Sequence, residues 1–402
     1  MTMALEGIRV LDLTVGQQGP YATVMLADMG AEVIKVENPR SSGDSSRGMR
    51  RILGKHVEVK GVNSYYEANN RNKKSVTVNL AGGKGRDIVY RLASKSDVFV
   101  LNFRVGAAER MGVGYEYIKK VNPRIIYAHA SGFGPKGPER ERRCIDPIAQ
   151  ARGGIMGVTG EPTEPPVLVP AGMGDQVGAM LLAYGIVTAL LARERLGISQ
   201  RVDTSLLGSQ IALQGFHLQG YLLSGDVPGK VSRKDMSPTY NSYRTKDGRW
   251  IMVALMQQRY WPRLCRALDM GELENDSRFN SLDARLTNGK ELVATLDRIF
   301  ATRTAKEWLE RLTENDVWHG LVQNYAEVAS DAQVLENEYV ADFNHPVAGP
   351  IKVIGLPVKL SETPGQIRDA APELGAHTEE VLLEVGGYNW EEITRFKDEG
   401  LI

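Results

Sequence analysis

Cysteine is nearly absent from this chain: Cys144 and Cys265 stand far apart among 402 residues. That excludes a disulfide scaffold and a cysteine-rich zinc site, and it fits a reducing cytoplasm. Histidine is scarce as well. Six residues, at 56, 129, 217, 319, 345 and 377, are scattered without H-E-x-x-H or C-x-x-C spacing, so no metal site is expected. Net charge is lacking too, since 49 basic residues balance 49 acidic ones. Nothing in that balance draws the chain to nucleic acid or an anionic membrane, and any anionic ligand must be met by local cations. Long apolar runs are missing. The most apolar stretch, 180–191, contains a glycine and reads as too short to span a bilayer. The opening MTMALEGIRVLDL lacks the basic segment and apolar core of a signal peptide. The expectation is a soluble cytoplasmic protein.

What is present is ordinary globular composition, 42% hydrophobic and 24% charged, in a chain long enough for two domains. Residues 7–37 read as a β-α-β unit, with strands at 8–13 and 32–37 and a helix at 21–29 ended by Gly30. The loop between them carries Gly16 and Gly19 without the full G-x-G-x-x-G, and Glu37 falls near the ribose acid of a dinucleotide fold. That is too partial a fingerprint to carry an NAD site. Residues 38–61 form a polar segment with Arg40, Arg47, Arg50, Arg51 and Lys55, either a solvated loop or a cationic rim for phosphates. Strands at 75–80, 97–102 and 124–130 then alternate with helices at 85–95 and 105–120. The alternation predicts an α/β fold with an open parallel Rossmann-like sheet. Residues 241–255 look like a β-hairpin turning at Lys246-Asp247-Gly248. Helices follow at 257–268, 289–300 and 305–314. The domain reading is therefore a large domain over 1–225, a smaller α+β domain over 226–330, and a C-terminal segment, 331–402, returning to the first. That last segment is read with short strands at 351–353 and 358–360 and a helix at 379–385.

The stretch 170–210 concentrates the interest. Ala171-Gly172-Met173-Gly174 delivers Asp175 to the start of a helix, where it reads as an N-cap favoured by the helix dipole. Val177, Met180, Leu181, Tyr184, Val187 and Leu191 recur at helical spacing and predict the buried face. The glycines flanking Met173 cost backbone entropy that a simple cap does not require; glycine there admits a bulky group close to the backbone. Other nucleophiles have no such setting: Ser205 and Ser209 lack G-x-S-x-G, P-loop patterns are missing, and His129 reads as an interior histidine.

LEGIRVLDLT…GP…LADMGAEVIKVE, NKKSVTVNL, NFRVGAAERMG, NPRIIYAHASGFG, GD…G…AYGIVTALLARERLGISQRVDTSLL and LGAHTEEVL occur in this order. Together they resemble the family III CoA-transferases, which include formyl-CoA, carnitine and bile-acid CoA-transferases and are close to the α-methylacyl-CoA racemases. The resemblance runs from about residue 5 to 220 and again near 331–385; residues 226–330 resemble the family only loosely. It implies that Asp175 is the catalytic nucleophile, attacking a donor acyl-CoA and passing through aspartyl anhydride and aspartyl-CoA thioester. A carboxylate held ionised by the helix N-terminus suits that role, with oxyanion donors from amides freed by the neighbouring glycines. It further implies that Gln17 sits near the reacting carbonyl. CoA contacts would come from Gln18, Val78, Asn79, Leu80, Ala81, Asn102, Phe103, Arg104, Arg110, Arg143 and Asp146. Where the family carries an arginine after the second strand's glutamate, this chain has Asn38, and Arg40 is the substitute. No cofactor would be permanently bound, CoA thioester being a substrate, and the assembly would be an interlocked homodimer.

A racemase would need a histidine before Asp146. This chain has Ile145, which cannot move a proton. A racemase and a non-catalytic CoA-binding protein remain the alternatives. Lys230, Arg233, Lys234, Tyr240, Tyr243 and Arg244 occupy the region of the family's active-site flap, and their chemistry would suit an acceptor with a second carboxylate.

Overall fold

A computed structural model describes residues 2–52, 54–170 and 172–402. The chain forms two compact units. One comprises Met1–Ile155, Leu168–Gly225 and Ala332–Ile402; the other comprises Met156–Val167 and Asp226–Asp331.

In the first unit the elements that matter run β1 (Arg9–Asp12), α1 (Gln18–Asp28), β2 (Glu32–Glu37), α2 (Ser64–Asn70), β3 (Lys73–Thr77), α3 (Gly83–Ala93), β4 (Val98–Leu101), β5 (Ile126–Ser131), α4 (Asp146–Gly153), α5 (Met173–Leu196), β6 (Arg201–Ser205) and α6 (Leu206–Leu213). All six strands are parallel, in the order β6-β5-β4-β1-β2-β3. This is the doubly wound order, in which the chain reverses direction between β1 and β4 and a crevice opens at their carboxyl ends.

The apolar runs of these strands divide by alternation between two cores. Leu11, Ile34, Phe99 and Tyr127 face one side with Ile88, Val89 and Leu92 of α3. Val10, Val33, Val98, Val100, Ile126 and Ala128 face the other with α1 and α5. The C-terminal segment completes the first of these cores through Val381, Leu382, Ile393 and Phe396. The His377 and Asn79 amides tie it to the sheet edge by hydrogen bonds to the Ser75 and Leu401 carbonyls.

Several expectations need correction. Strand β6, Arg201–Ser205, is not among the strands expected from the sequence. Residues 358–360 form no strand; the hairpin is instead Val340–His345 with Gly349–Ile354, and a further helix covers Trp390–Asp398. The apolar run 180–191 belongs to the 24-residue α5, which by length and composition alone is long and apolar enough to cross a membrane. The face of α5 that packs into the core is not the one its apolar spacing predicts. Its buried residues are Gly174, Gly178, Ala179, Leu182, Ala183, Ile186, Ala189, Leu190 and Arg193, whereas Met180, Tyr184, Val187 and Leu191 are exposed. The helix is apolar nearly all round, and close approach to α1 and the sheet selects small side chains for the inner face.

The second unit, taken by itself, is an antiparallel sheet of Tyr240–Arg244, Trp250–Ala254 and His319–Leu321 packed with helices Trp261–Ala267, Gly289–Phe300 and Ala305–Glu314. Its core gathers Tyr243, Trp261, Phe300 and Trp308, and a Thr304–Glu307 capping box starts the last of these helices. Three of the six side chains expected to suit a second carboxylate are engaged within this unit. Arg233 pairs with Asp297 at 2.7 Å, Lys230 donates to the Glu164 and Pro165 carbonyls, and the buried Tyr243 donates to the Pro238 carbonyl.

Candidate active site

The crevice between β1 and β4 is closed by side chain and backbone together. Asn102, just past β4, receives the Val15 amide at 2.9 Å and donates to the Val15 carbonyl at 2.7 Å, which pins the loop after β1. Beneath that loop lies a buried ionic lattice. Asp12 accepts from Lys73 at 3.1 Å and from the Thr14 and Thr23 hydroxyls. Lys35 donates to the Thr14 carbonyl at 2.8 Å and pairs with Asp44 at 2.9 Å, and Asp44 accepts the Gly16 amide at 3.0 Å. Burial pushes the Asp12 carboxyl up, but Lys73, Lys35 and the two hydroxyls outweigh it and hold it at about 2. Fully buried pairs of this kind contribute geometry more than stability. Here they fix the backbone that presents Gln17. Glu37 is consumed in the same region by Arg47, Ser75 and the Asp44 amide, so no ribose acid is left for a dinucleotide.

Above this loop is a cavity of about 570 Å³ whose lining includes Gln17, Gln18, Tyr65, Asn102, Cys144, Ile145, Asp146 and Asp175. A second cavity of about 410 Å³ shares Val15 with it and is lined by Val78, Leu80, Ala81 and Phe103. Nine of the residues expected from the sequence thus fall on two adjoining hollows. Asn79 instead sits buried, its side chain accepting the Ala81 amide. Arg40, Arg104, Arg110 and Arg143 are exposed and line neither cavity. His129 is buried, its Nε2 2.7 Å from the Phe103 carbonyl.

Asp175 is not the N-cap. Gly172 holds that position in the left-handed region (φ 64°), and Asp175 is the third residue of α5. Its carboxylate makes no hydrogen bond among the described residues. The pKa expectation is reversed as well: burial first, then the nearby Asp146 carboxylate, push Asp175 up to about 7. Desolvation and a like charge outweigh the helix dipole, which is worth under about 1 kcal/mol at such a position.

The two glycines also have other work than making room for substrate. A Cβ on Gly172 would lie 2.8 Å from Oε1 and 2.9 Å from Nε2 of Gln17; one on Gly174 would lie 2.8 Å from Oδ1 of Asp146 and from Nε2 of Gln210. Nor is the Gly174 amide free for an oxyanion, because Asp146 accepts it at 2.5 Å. Asp146 spends its other oxygen on Gln150 at 2.7 Å. The residue that sequence reasoning missed is Tyr65, on α2. Its hydroxyl donates to Oε1 of Gln17 at 3.1 Å, which leaves the Gln17 Nε2 as the available donor. Burial foremost, with Asp175 next, raises the Tyr65 phenol, so it stays protonated and keeps donating.

Residues 5–378 match the family model for CoA-transferase family III. The chain belongs to that family. It is 37% identical over 406 residues to an acyl-CoA transferase of Fusarium pseudograminearum, covering 99% of this chain and 88% of the relative. It is also 37% identical to succinyl-CoA:glutarate CoA-transferase of Mus musculus, covering 99% of this chain and 90% of the relative. Among solved structures, a CAIB/BAIF family protein from Brucella suis superposes with a TM-score of 0.84 at 28% identity, over 96% of this chain and all of the other. The protein is thus a CoA-transferase that acts on acyl-CoA and carboxylate substrates. Its cavities lie at the sheet's switch point, where this fold binds ligands.

Proposed function

We propose that this CoA-transferase carries the acyl group and then CoA on Asp175, and that its acceptor is a dicarboxylic acid. The observation that carries the reading is an unpaired carboxylate, Asp175, on a cavity that adjoins a second hollow at the switch point. One Asp175 oxygen attacks the thioester carbonyl of the donor, the C–S bond breaks, and an aspartyl anhydride and CoA thiolate result. The thiolate attacks the aspartyl carbonyl and releases the donor acid, leaving CoA as a thioester on Asp175. An acceptor carboxylate then attacks that thioester, and the expelled thiolate takes the acceptor's acyl carbon from the new anhydride, restoring Asp175. Gln17 Nε2, oriented by Tyr65, supplies the donor to the oxyanion in each step.

A carboxylate with a pKa near 7 is a better nucleophile once ionised than an ordinary aspartate. The adenine end of CoA occupies the hollow of Val78, Leu80, Ala81 and Phe103, and the exposed Arg40, Arg104 and Arg110 meet its phosphates. Support for a dicarboxylic acceptor comes from the glutarate in the mouse relative's name. Proton abstraction at an acyl α-carbon is disfavoured, because Ile145 lines the cavity where a second acid/base would stand. A homodimer is supported by Met180, Tyr184, Val187 and Leu191, an exposed apolar stripe along α5.

The test is incubation with succinyl-CoA, quenching with hydroxylamine, and peptide mass mapping. A hydroxamate on Asp175, absent from Asp175→Ala together with turnover, is the expected result. Continued turnover by Asp175→Ala would overturn the mechanism.

A further inference from the structure

Among the residues that line the Asp175 cavity, Arg51 is the cation, facing a lining whose charged members are otherwise Asp146 and Asp175. It stands on a short antiparallel pairing of Arg51–Ile52 with Lys55–His56, in the polar segment whose other basic residues have different surroundings. Arg47 is neutralised by Glu37 at 2.7 Å, and Arg50 lines a separate hollow. The polar partner of the Arg51 guanidinium is Nε2 of His56 at 2.8 Å. The imidazole brings no negative charge, so the contact leaves the charge of the guanidinium uncancelled. No carboxylate pairs with Arg51 among the described residues. A cation on the lining of a cavity that otherwise repels anions has a consequence for substrates. An acceptor must bring one carboxylate to the acyl carbon on Asp175; a second carboxylate on the same molecule would meet either Asp146 or Arg51.

We infer that Arg51 is the specificity-determining residue that reads the distal carboxylate of the acceptor, holding it by a charge-assisted, forked hydrogen bond while the proximal carboxylate reacts. This rests on the reading of Asp175 as the acyl and CoA carrier. A guanidinium–carboxylate contact discriminates by charge and by planar geometry, so lysine replaces it only in part.

Steady-state kinetics with acetyl-CoA as the CoA donor and succinate, its monoamide succinamate or butyrate as acceptor, for the full chain and for Arg51→Lys and Arg51→Met, tests this. The native enzyme should favour succinate over succinamate and butyrate by about 10- to 100-fold in kcat/KM. Arg51→Met should raise the KM for succinate by a similar factor with little change in kcat or in the butyrate parameters, and Arg51→Lys should fall between. Equal losses for all three acceptors, or a native enzyme indifferent to the distal group, would overturn the assignment. Hydroxylamine trapping on Asp175, run in parallel, separates the two ideas. If the adduct forms in Arg51→Met while the succinate preference survives, only Arg51 is wrongly assigned. If no adduct forms in the native enzyme, both readings fall.

Discussion

Asp175→Asn should make the folded protein more stable at alkaline pH, and the gain should shrink as the pH is lowered. Burial, and then the Asp146 charge, push the native carboxyl up to about 7 from the ordinary 3.8. Between those values the folded chain binds the extra proton, so its stability falls as pH rises across the window and the loss is complete above about pH 7. Asparagine carries no charge to desolvate and no repulsion from Asp146, and it forfeits no hydrogen bond, since none reaches the Asp175 carboxylate among the described residues. Taken whole, the shift corresponds to about 4 kcal/mol at alkaline pH. Water at the cavity and the lost helix-dipole term of about 0.5 kcal/mol reduce the expected gain to about 1–3 kcal/mol. Urea unfolding of both proteins, followed by tryptophan fluorescence at fixed chain concentration at about pH 5 and about pH 8, reads the difference directly. An Asn variant no more stable than the native chain at the higher pH, or a gain independent of pH, would refute the argument that burial and Asp146 strain this carboxylate.

Two further outcomes follow from the same geometry. Gly172→Ala should cost about 1–3 kcal/mol of stability and at least about 10-fold in kcat, because alanine is strained at φ 64° and its Cβ would collide with the Gln17 amide; unchanged turnover would show that Gln17 does not work from that position. Tyr184→Glu, on the exposed stripe of α5, should convert the proposed homodimer to monomers by light scattering while leaving the far-UV circular dichroism intact; a native chain that is already monomeric, or a variant of unchanged mass, would overturn the assignment of this face to subunit contact.

The parallel sheet was legible because its strands are buried on both sides and read as apolar runs such as VFVL and IYAHA between helical periods. Strand β6 was not, since RVDTS runs straight into α6 and its half-buried, polar-flanked pattern resembles a helix start. Asp175 stood out by its glycine-flanked helix start and Gln17 only through the family resemblance, and both line the cavity at the switch point. The acidity of Asp175 was not: its sign depends on Asp146, 29 positions earlier in sequence, and on how far the cavity excludes water, neither of which local spacing encodes. Tyr65 escaped for the same reason, being 48 residues from the Gln17 amide it orients.

The helix that carries Asp175 shows where periodicity misleads. Spacing marks an apolar stripe at Met180, Tyr184, Val187 and Leu191, but on a helix that is apolar nearly all round spacing alone does not say which stripe is buried within the chain. Residue size is the better discriminator here. The inner face at Gly174, Gly178, Ala179 and Ala183 is small enough for Gln18 and Ser209 to press against the helix backbone, with Nε2 and Oγ only 2.5 and 3.0 Å from where a Gly178 Cβ would stand. That close approach is what holds α1, and with it the Gln17 amide, against the start of α5. The large residues on the outer face contribute nothing to it.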